Sequence, residues 1–391
     1  MNPPICVMLV AAEASGDTLG AGLARELKRS LGEANVRFVG VGGAAMAEEG
    51  VVSPFDISEL SILGLFEGLM AYGKVVARVA ETAELARREK PDIAVLIDSW
   101  GFTLRVAHRL RQIDPDLPLI KYVAPQVWAS RPGRAKTLAA AVDHLLAIHT
   151  FDVPFFEREG LPTTFVGASA LARNTATADP ARLRTAIGAG KTDPILLVLP
   201  GSRPSEIRRV MPPFEAAAAL LRQQRPQLQI VIPAAPTVAG AVRARVAAWP
   251  FPAHVIEDQA LKFDAMAAAT VALACSGTVT TELALAGCPM VVGYRIGEIS
   301  YQILSRLIRT KFITLFNIAA GEAVAPELIQ RDCTGPALAA AIAVRLDDPD
   351  LRARQIAAQN AALEKMGRGG PDPSIRAAEV VVELLGPKAR R

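Results

Sequence analysis

Short, solid apolar runs alternate with segments of helical periodicity along most of the chain. Ile5–Ala11, Arg37–Val41, Ile93–Asp98, Leu119–Val123 and Leu145–Ile148 are four to seven residues long. Runs of that length, mostly bounded by turn residues, read as strands buried on both faces. Helical patterns such as Thr18–Leu31 and Gly101–Arg111 lie between them. Strand, loop and helix repeated in this order predict a parallel, doubly wound sheet.

The alternation breaks at Ala168–Pro180, which is rich in Ala, Thr, Asn and Asp, and then restarts. Strands are predicted at Ile195–Leu199, Gln229–Ile232, Val271–Ala274 and Met290–Val292, with helices near Glu206–Arg225 and Thr280–Ala286. The expected fold class is therefore α/β, with two Rossmann-like domains facing each other across a cleft. The expected domains are residues 1–172 and 173–366. A Gly- and Pro-rich segment, Gly367–Pro373, precedes a last helix, Ser374–Leu385. That terminal region, 374–391, is expected to pack back on the first domain.

Composition narrows the function. The chain has 391 residues, enough for two domains. Its 43 basic and 39 acidic residues leave a net charge of only +4. So slight an excess does not call for nucleic acid, although it permits a local basic patch against an anionic surface. Cys6, Cys275, Cys288 and Cys333 form no C-x-x-C pair and no cluster with His, so neither a zinc site nor a disulfide framework is expected. No secretory signal and no apolar stretch of about 20 residues appears. The expectation is a cytoplasmic protein whose membrane contact, if any, is peripheral.

In doubly wound sheets ligands bind outside the carboxyl ends of the strands, so the loops after strands carry the candidate chemistry. Leu199-Pro-Gly-Ser-Arg203 follows one strand and opens a helix. Gly201, Ser202 and Arg203 suit a phosphate, through free N–H groups and a guanidinium; a Gly turn with a solvated Arg would read the same way. Ser276, Gly277 and Thr278 open a second helix, and Glu282 lies one turn further in, where it could accept both ribose hydroxyls. Glu282 could equally serve the helix dipole. The two loops together suggest a nucleotide diphosphate held by the second domain. After the first strand, Glu13-Ala-Ser-Gly-Asp17 replaces the G-x-G-x-x-G of a dinucleotide fold. That disfavours a nicotinamide dehydrogenase and points to sugar hydroxyls, with an N-cap role for Asp17 as the alternative. Asp98, at a strand end expected to face the cleft, is placed to take a proton from an attacking hydroxyl, or to cap the helix that follows.

Taken in order, these loops closely resemble the lipid-A-disaccharide synthase family of B-type glycosyltransferases. The resemblance runs through Glu13–Gly22, Phe38–Gly43, Pro91–Asp98, Tyr122–Trp128, Phe165–Gly167, Leu199–Arg203, Ser276–Glu282, Cys288–Arg295 and Asn317–Glu327. It implies an inverting hexosyltransferase of lipid A biosynthesis. Such an enzyme joins UDP-2,3-diacylglucosamine to 2,3-diacylglucosamine 1-phosphate on the inner face of the cytoplasmic membrane, without cofactor or metal. It implies Asp98 as base, and Arg203, Ser276, Glu282 and Asn317 around UDP. Glu13, Ser15, Gly16, Asp17 and Trp128 are the candidates for the acceptor. The chain departs from the family at Ala12, at Ser99-Trp100-Gly101-Phe102, where a second carboxylate is missing, and at Ala168. The alternatives are another B-type UDP-sugar enzyme, acting on a polyprenyl-linked acceptor or as an epimerase, and a non-catalytic glycolipid-binding protein. Two stretches, Ile62–Val79 and Tyr301–Phe312, combine apolar residues with sparse or basic charge and are expected to meet an anionic membrane surface. Core or ordinary amphipathic helices are the alternatives there. The sequence leaves a homodimer open.

Overall fold

The computed structural model describes residues 3–60, 65–172, 177–308 and 310–387. The chain folds as two compact units: residues up to Ser169 joined by those from Gly369 on, and Ala170–Arg368. Each unit is built on a six-stranded parallel sheet. The first contains β1 (Ile5–Ala11), β2 (Val36–Val41), β3 (Ile93–Ile97), β4 (Leu119–Tyr122), β5 (His144–Ala147) and β6 (Thr163–Phe165), in the order β2-β1-β3-β4-β5-β6. The second contains β7 (Ile195–Leu199), β8 (Gln229–Pro233), β9 (His254–Ile256), β10 (Val271–Ala274), β11 (Met290–Tyr294) and β12 (Glu327–Ile329), in the order β12-β11-β10-β7-β8-β9.

Burial explains why the central strands form. In β1, Met8 and Val10 join one apolar cluster with Leu96, Val106 and Leu145, while Val7 and Leu9 join another with Leu23, Ile97 and Val381. Successive side chains of one strand thus enter the cores on opposite faces of the sheet, which is why these strands read as unbroken apolar runs. Each such side chain contributes about 1.5–3 kcal/mol by leaving water. In the second unit Leu196, Val198, Phe214, Ile230 and Leu273 share one cluster. The last helix, Pro373–Leu385, packs on Ala14–Leu31, and Ala377, Ala378, Val380 and Val381 are buried there.

The nine expected strands are present, with ends shifted by no more than two residues. Three further strands, β6, β9 and β12, are three residues long and lie at sheet edges, mostly half-buried. An edge strand covered on one side only needs no solid apolar run. The helix expected near Glu206–Arg225 is two helices, Pro204–Arg209 and Met211–Gln224. Pro212 and Pro213 account for the break, because they lack the N–H groups that would continue the first helix. Of the two stretches expected at a membrane, residues 61–64 and Arg309 lie outside the described residues, as do the side chains of 65–72, Ile303, Leu304 and Leu307. The backbone forms helices Leu65–Glu89 and Glu298–Leu307. Among the described residues no helix is long and apolar enough to cross a membrane.

Gly40 shows how closely β2 approaches β1. Its φ is +146°, and a Cβ there would stand 1.8 Å from the Leu9 carbonyl oxygen. Gly40→Ala is expected to cost about 2–6 kcal/mol, from backbone strain plus overpacking. A lowered urea midpoint with an unchanged m-value checks it.

Candidate functional site

The second unit gathers both phosphate-type loops on one cavity of about 280 Å³. Gly201, Ser202 and Arg203 line it after β7, Pro233–Pro236 after β8, and Ser276, Gly277, Thr278 and Glu282 after β10. Parallel pairing of β7 with β8 and β10 brings these strand ends to one edge. The helix Thr278–Leu285 starts at this cavity, and its first turn has N–H groups that no helical carbonyl can take.

The first loop works differently from the expectation. Its Ser202 and Arg203 N–H groups are not free: Glu206 folds back, and its Oε2 accepts both, at 2.8 and 3.2 Å. Gly201, at φ +116°, makes this possible, since a Cβ there would lie 2.3 Å from the same oxygen. Glycine is thus required by the loop's own closure. What remains for an anion is the Arg203 side chain, 73 % exposed and 3.2 Å from Glu206 Oε1. Glu282 also lines the cavity, but its Oε2 receives the Lys262 ammonium at 2.7 Å. Neither Glu206 nor Lys262 was expected. Glu206 stands three residues after Arg203, a capping spacing visible in the sequence. Lys262 comes from the helix Gln259–Ala268, twenty residues before Glu282, and no local signal links them.

Asn317 does not line this cavity. It is fully buried: its Nδ2 donates to the Ala325 carbonyl at 2.9 Å and to Glu327 Oε1 at 2.8 Å, and its Oδ1 accepts the Ala325 N–H at 3.0 Å. Glu327 in turn accepts the N–H of Ile313, whose carbonyl receives the Ser276 hydroxyl at 3.3 Å. Asn317 is thus tied to Ser276 through Glu327 and Ile313.

In the first unit Asp98 and Ser99 follow β3 with φ of +52° and +38°. Two successive non-glycine residues in the left-handed region store roughly 1–3 kcal/mol each and need outside support. The Thr103 hydroxyl lies 2.8 Å from the Asp98 carbonyl and 3.0 Å from that of Ser99. The Lys121 ammonium donates to the same Asp98 carbonyl and, at 2.9 Å, to the Thr103 hydroxyl. Ser15 donates to the Asp98 carboxylate at 3.2 Å. Burial lifts the Glu13 carboxyl above the usual carboxylate range, and the Asp98 charge adds to the lift; Ser99 and Lys121 oppose it. Burial pulls the Lys121 ammonium down to about 7, against the charges of Asp98 and Glu13.

Gly16 and Asp17, two of the acceptor candidates, lie inside the first unit rather than on its surface. Both are buried in the helix Ala14–Leu31. The Asp17 carboxylate accepts the N–H groups of Gly43, Ala45 and Met46 at 2.7–3.0 Å, anchoring the start of the helix Ala44–Glu48. These bonds give Asp17 a role in the fold. Trp128 belongs to a separate aromatic cluster. Its Nε1 donates to Asp152 at 3.0 Å, and its ring meets Phe151 edge-on, which stacks on His149. The missing second carboxylate falls at Gly101; beside it, the Arg134 guanidinium lies 5.1 Å from the Trp100 ring centre. All four cysteines are free and buried.

With this geometry in hand, comparison with known proteins is decisive. The lipid-A-disaccharide synthetase family matches residues 7–371. The chain belongs to this family. The lipid-A-disaccharide synthase of Rhodospirillum centenum is 42 % identical over 98 % of the chain and 95 % of its own length. That of Rhodopseudomonas palustris BisB18 is 43 % identical over 97 % and 95 %. Among solved structures, MurG of Acinetobacter baumannii matches with a TM-score of 0.57 at 15 % identity, over 97 % of this chain and 100 % of its own. A putative UDP-N-acetylglucosamine 2-epimerase from Listeria monocytogenes matches at 0.60 with 14 % identity, over 97 % and 96 %. At such identities these structures establish the fold, that of the B-type glycosyltransferases.

Burial raises the Asp152 carboxyl to about 7, against the pull of the Trp128 N–H. Between pH 4 and 7 the unfolded chain has lost a proton that the folded protein keeps, so this group makes stability fall as pH rises. Asp152→Asn should therefore gain on the order of 2–4 kcal/mol over the parent at pH 7.5 relative to pH 4. Urea unfolding of both proteins at the two pH values measures the difference.

Proposed function

We propose that the protein transfers 2,3-diacylglucosamine from its UDP derivative to 2,3-diacylglucosamine 1-phosphate, forming the lipid A disaccharide 1-phosphate and UDP. The observation that carries this reading is the meeting of Leu199–Arg203 and Ser276–Glu282 on one cavity, in a chain of the lipid-A-disaccharide synthetase family. The second unit, residues 173–366 in the sequence reading, takes UDP. Arg203 and the start of the helix Thr278–Leu285 face the diphosphate, and Glu282 faces the ribose, releasing Lys262 in part. The first unit takes the acceptor near Glu13, Ser15 and Trp128. Asp98 removes the proton from the acceptor 6-hydroxyl as its oxygen attacks the anomeric carbon. The bond to UDP breaks, UDP leaves with the electron pair, and the configuration inverts to a β-1,6 link.

Purified protein given both substrates should release UDP and disaccharide in equal amounts. Turnover of UDP-N-acetylglucosamine without an acceptor would instead favour an epimerase. Asp98→Asn keeps the shape and removes the basic lone pair, so turnover should fall about 10²–10⁴-fold with UDP affinity unchanged. Arg203→Ala should weaken UDP binding by about 1–2 kcal/mol, the low part of the range for a charge-assisted bond, because Arg203 is exposed. Calorimetry with UDP separates the two effects.

Both substrates carry fatty chains, so the reading includes a peripheral site on the anionic inner face of the cytoplasmic membrane. The stretch Tyr301–Phe312 is the candidate contact, and the positive charges of Arg306, Arg309 and Lys311 in its sequence supply the attraction to anionic headgroups. Changing these three together to Ser should reduce sedimentation with anionic vesicles and leave UDP binding intact. Undiminished sedimentation would move the contact to the stretch Ile62–Val79.

A further inference from the structure

Lys121 stands where a parallel sheet holds apolar side chains. It lies in β4, is 3 % exposed, and pairs in register with Leu96 of β3 and Leu145 of β5. Leu96, Leu104, Ala107, Leu138 and Val142 line the same small void as its side chain. An apolar residue would suit that space, and burying an ammonium costs several kcal/mol unless its protons are held. They are held at one place: the Asp98 carbonyl and the Thr103 hydroxyl, which itself supports the Asp98 and Ser99 carbonyls. Lys121 forms no direct side-chain ion pair among the described residues. The charged groups facing it are Asp98 from the end of β3 and Glu13 from the loop after β1. The helix Trp100–Ile113 presents Thr103, and β5 presents Leu145.

We infer that Lys121 is a positioning residue for Asp98: it ties down a turn held in the left-handed region and, while protonated, places a positive charge beside the Glu13–Asp98 pair. This rests on the reading of Asp98 as the base. A base on a strained turn can relax by rotating, and a displacement of about 1 Å can cost on the order of 10²-fold in rate. A charge already in place when the proton moves needs no reorganisation at that moment. The cation acts from beneath the turn, so it touches no substrate.

Lys121→Met fits the apolar space and removes both the donor and the charge. Turnover is expected to fall about 10–100-fold, with UDP affinity unchanged and the unfolding midpoint at or above the parent's. The acid limb of kcat/KM against pH should move to higher pH, because two carboxylates lose the cation that faces them. Lys121→Gln, which restores a donor without charge, should recover part of the turnover and leave the acid limb displaced. Parent-like turnover and an unmoved acid limb in Lys121→Met would overturn the inference. So would equal losses of turnover and UDP affinity with a lowered midpoint, which mark a role in the fold at large. If Lys121→Met does not fold, Lys121→Gln decides alone: a displaced acid limb supports the inference and an unmoved one overturns it. Asp98→Asn run alongside separates the two claims. Full turnover in Asp98→Asn removes the base and the inference with it, whereas an inactive Asp98→Asn beside a parent-like Lys121→Met removes the inference alone.

Discussion

Parallel pairing is the constraint on which the rest of this molecule depends. Parallel strands must be connected by crossovers, and the crossovers cover both faces of the sheet with helices. Apolar side chains then fill the faces and polar chemistry gathers in the loops at the carboxyl ends, with Lys121, buried within β4, as a departure from the pattern. In the second unit that edge brings together loops 75 residues apart, since Leu199 pairs with Ala274, the last residue of each strand. In the first unit the same geometry sets Glu13, Asp98 and Lys121 within electrostatic reach of one another, from β1, β3 and β4.

The two units manage buried charge in different ways. In the second, acidic groups are satisfied inside the protein before any ligand arrives: Glu206 by backbone N–H groups, Glu282 by Lys262, and Glu327 by Asn317, Thr314 and Ile313. Each arrangement fixes a loop, and Arg203, Lys262 and a helix start are the cavity's positive elements. In the first unit the charges are less completely paired. Glu13 is lifted by burial and by Asp98, and Lys121 is pulled down by burial.

Much of this was legible in the sequence. Strands buried on both faces announce themselves as solid apolar runs, and so do their carboxyl-end loops. The edge strands β6, β9 and β12 did not, because half-covered residues carry no such demand. The candidate site was legible as a set of loops and less so as a set of roles. Asp17 and Glu206 are polar residues in segments that follow strand ends, as Asp98 and Arg203 are, and Asn317 lies in the helix Leu315–Ala320. Sequence does not distinguish a carboxylate that meets a ligand from one that meets three backbone N–H groups. Gly201 illustrates the same limit: the sequence calls for a glycine, and the structure shows that Glu206, within the loop, requires it. Lys121 interrupts the otherwise apolar run Leu119–Val123 without any local signal of a role, which only the neighbouring strand and helix supply.

The central claim is that the second unit holds the nucleotide between two strand-end loops. Amide hydrogen exchange with and without UDP tests it directly, because it reads each loop separately and needs neither lipid substrate nor turnover. The account predicts slowed exchange at residues 201–206 and 276–282 on adding UDP, with the core strands unchanged. Protection confined to the first unit, or none at either loop under saturating UDP, would contradict it.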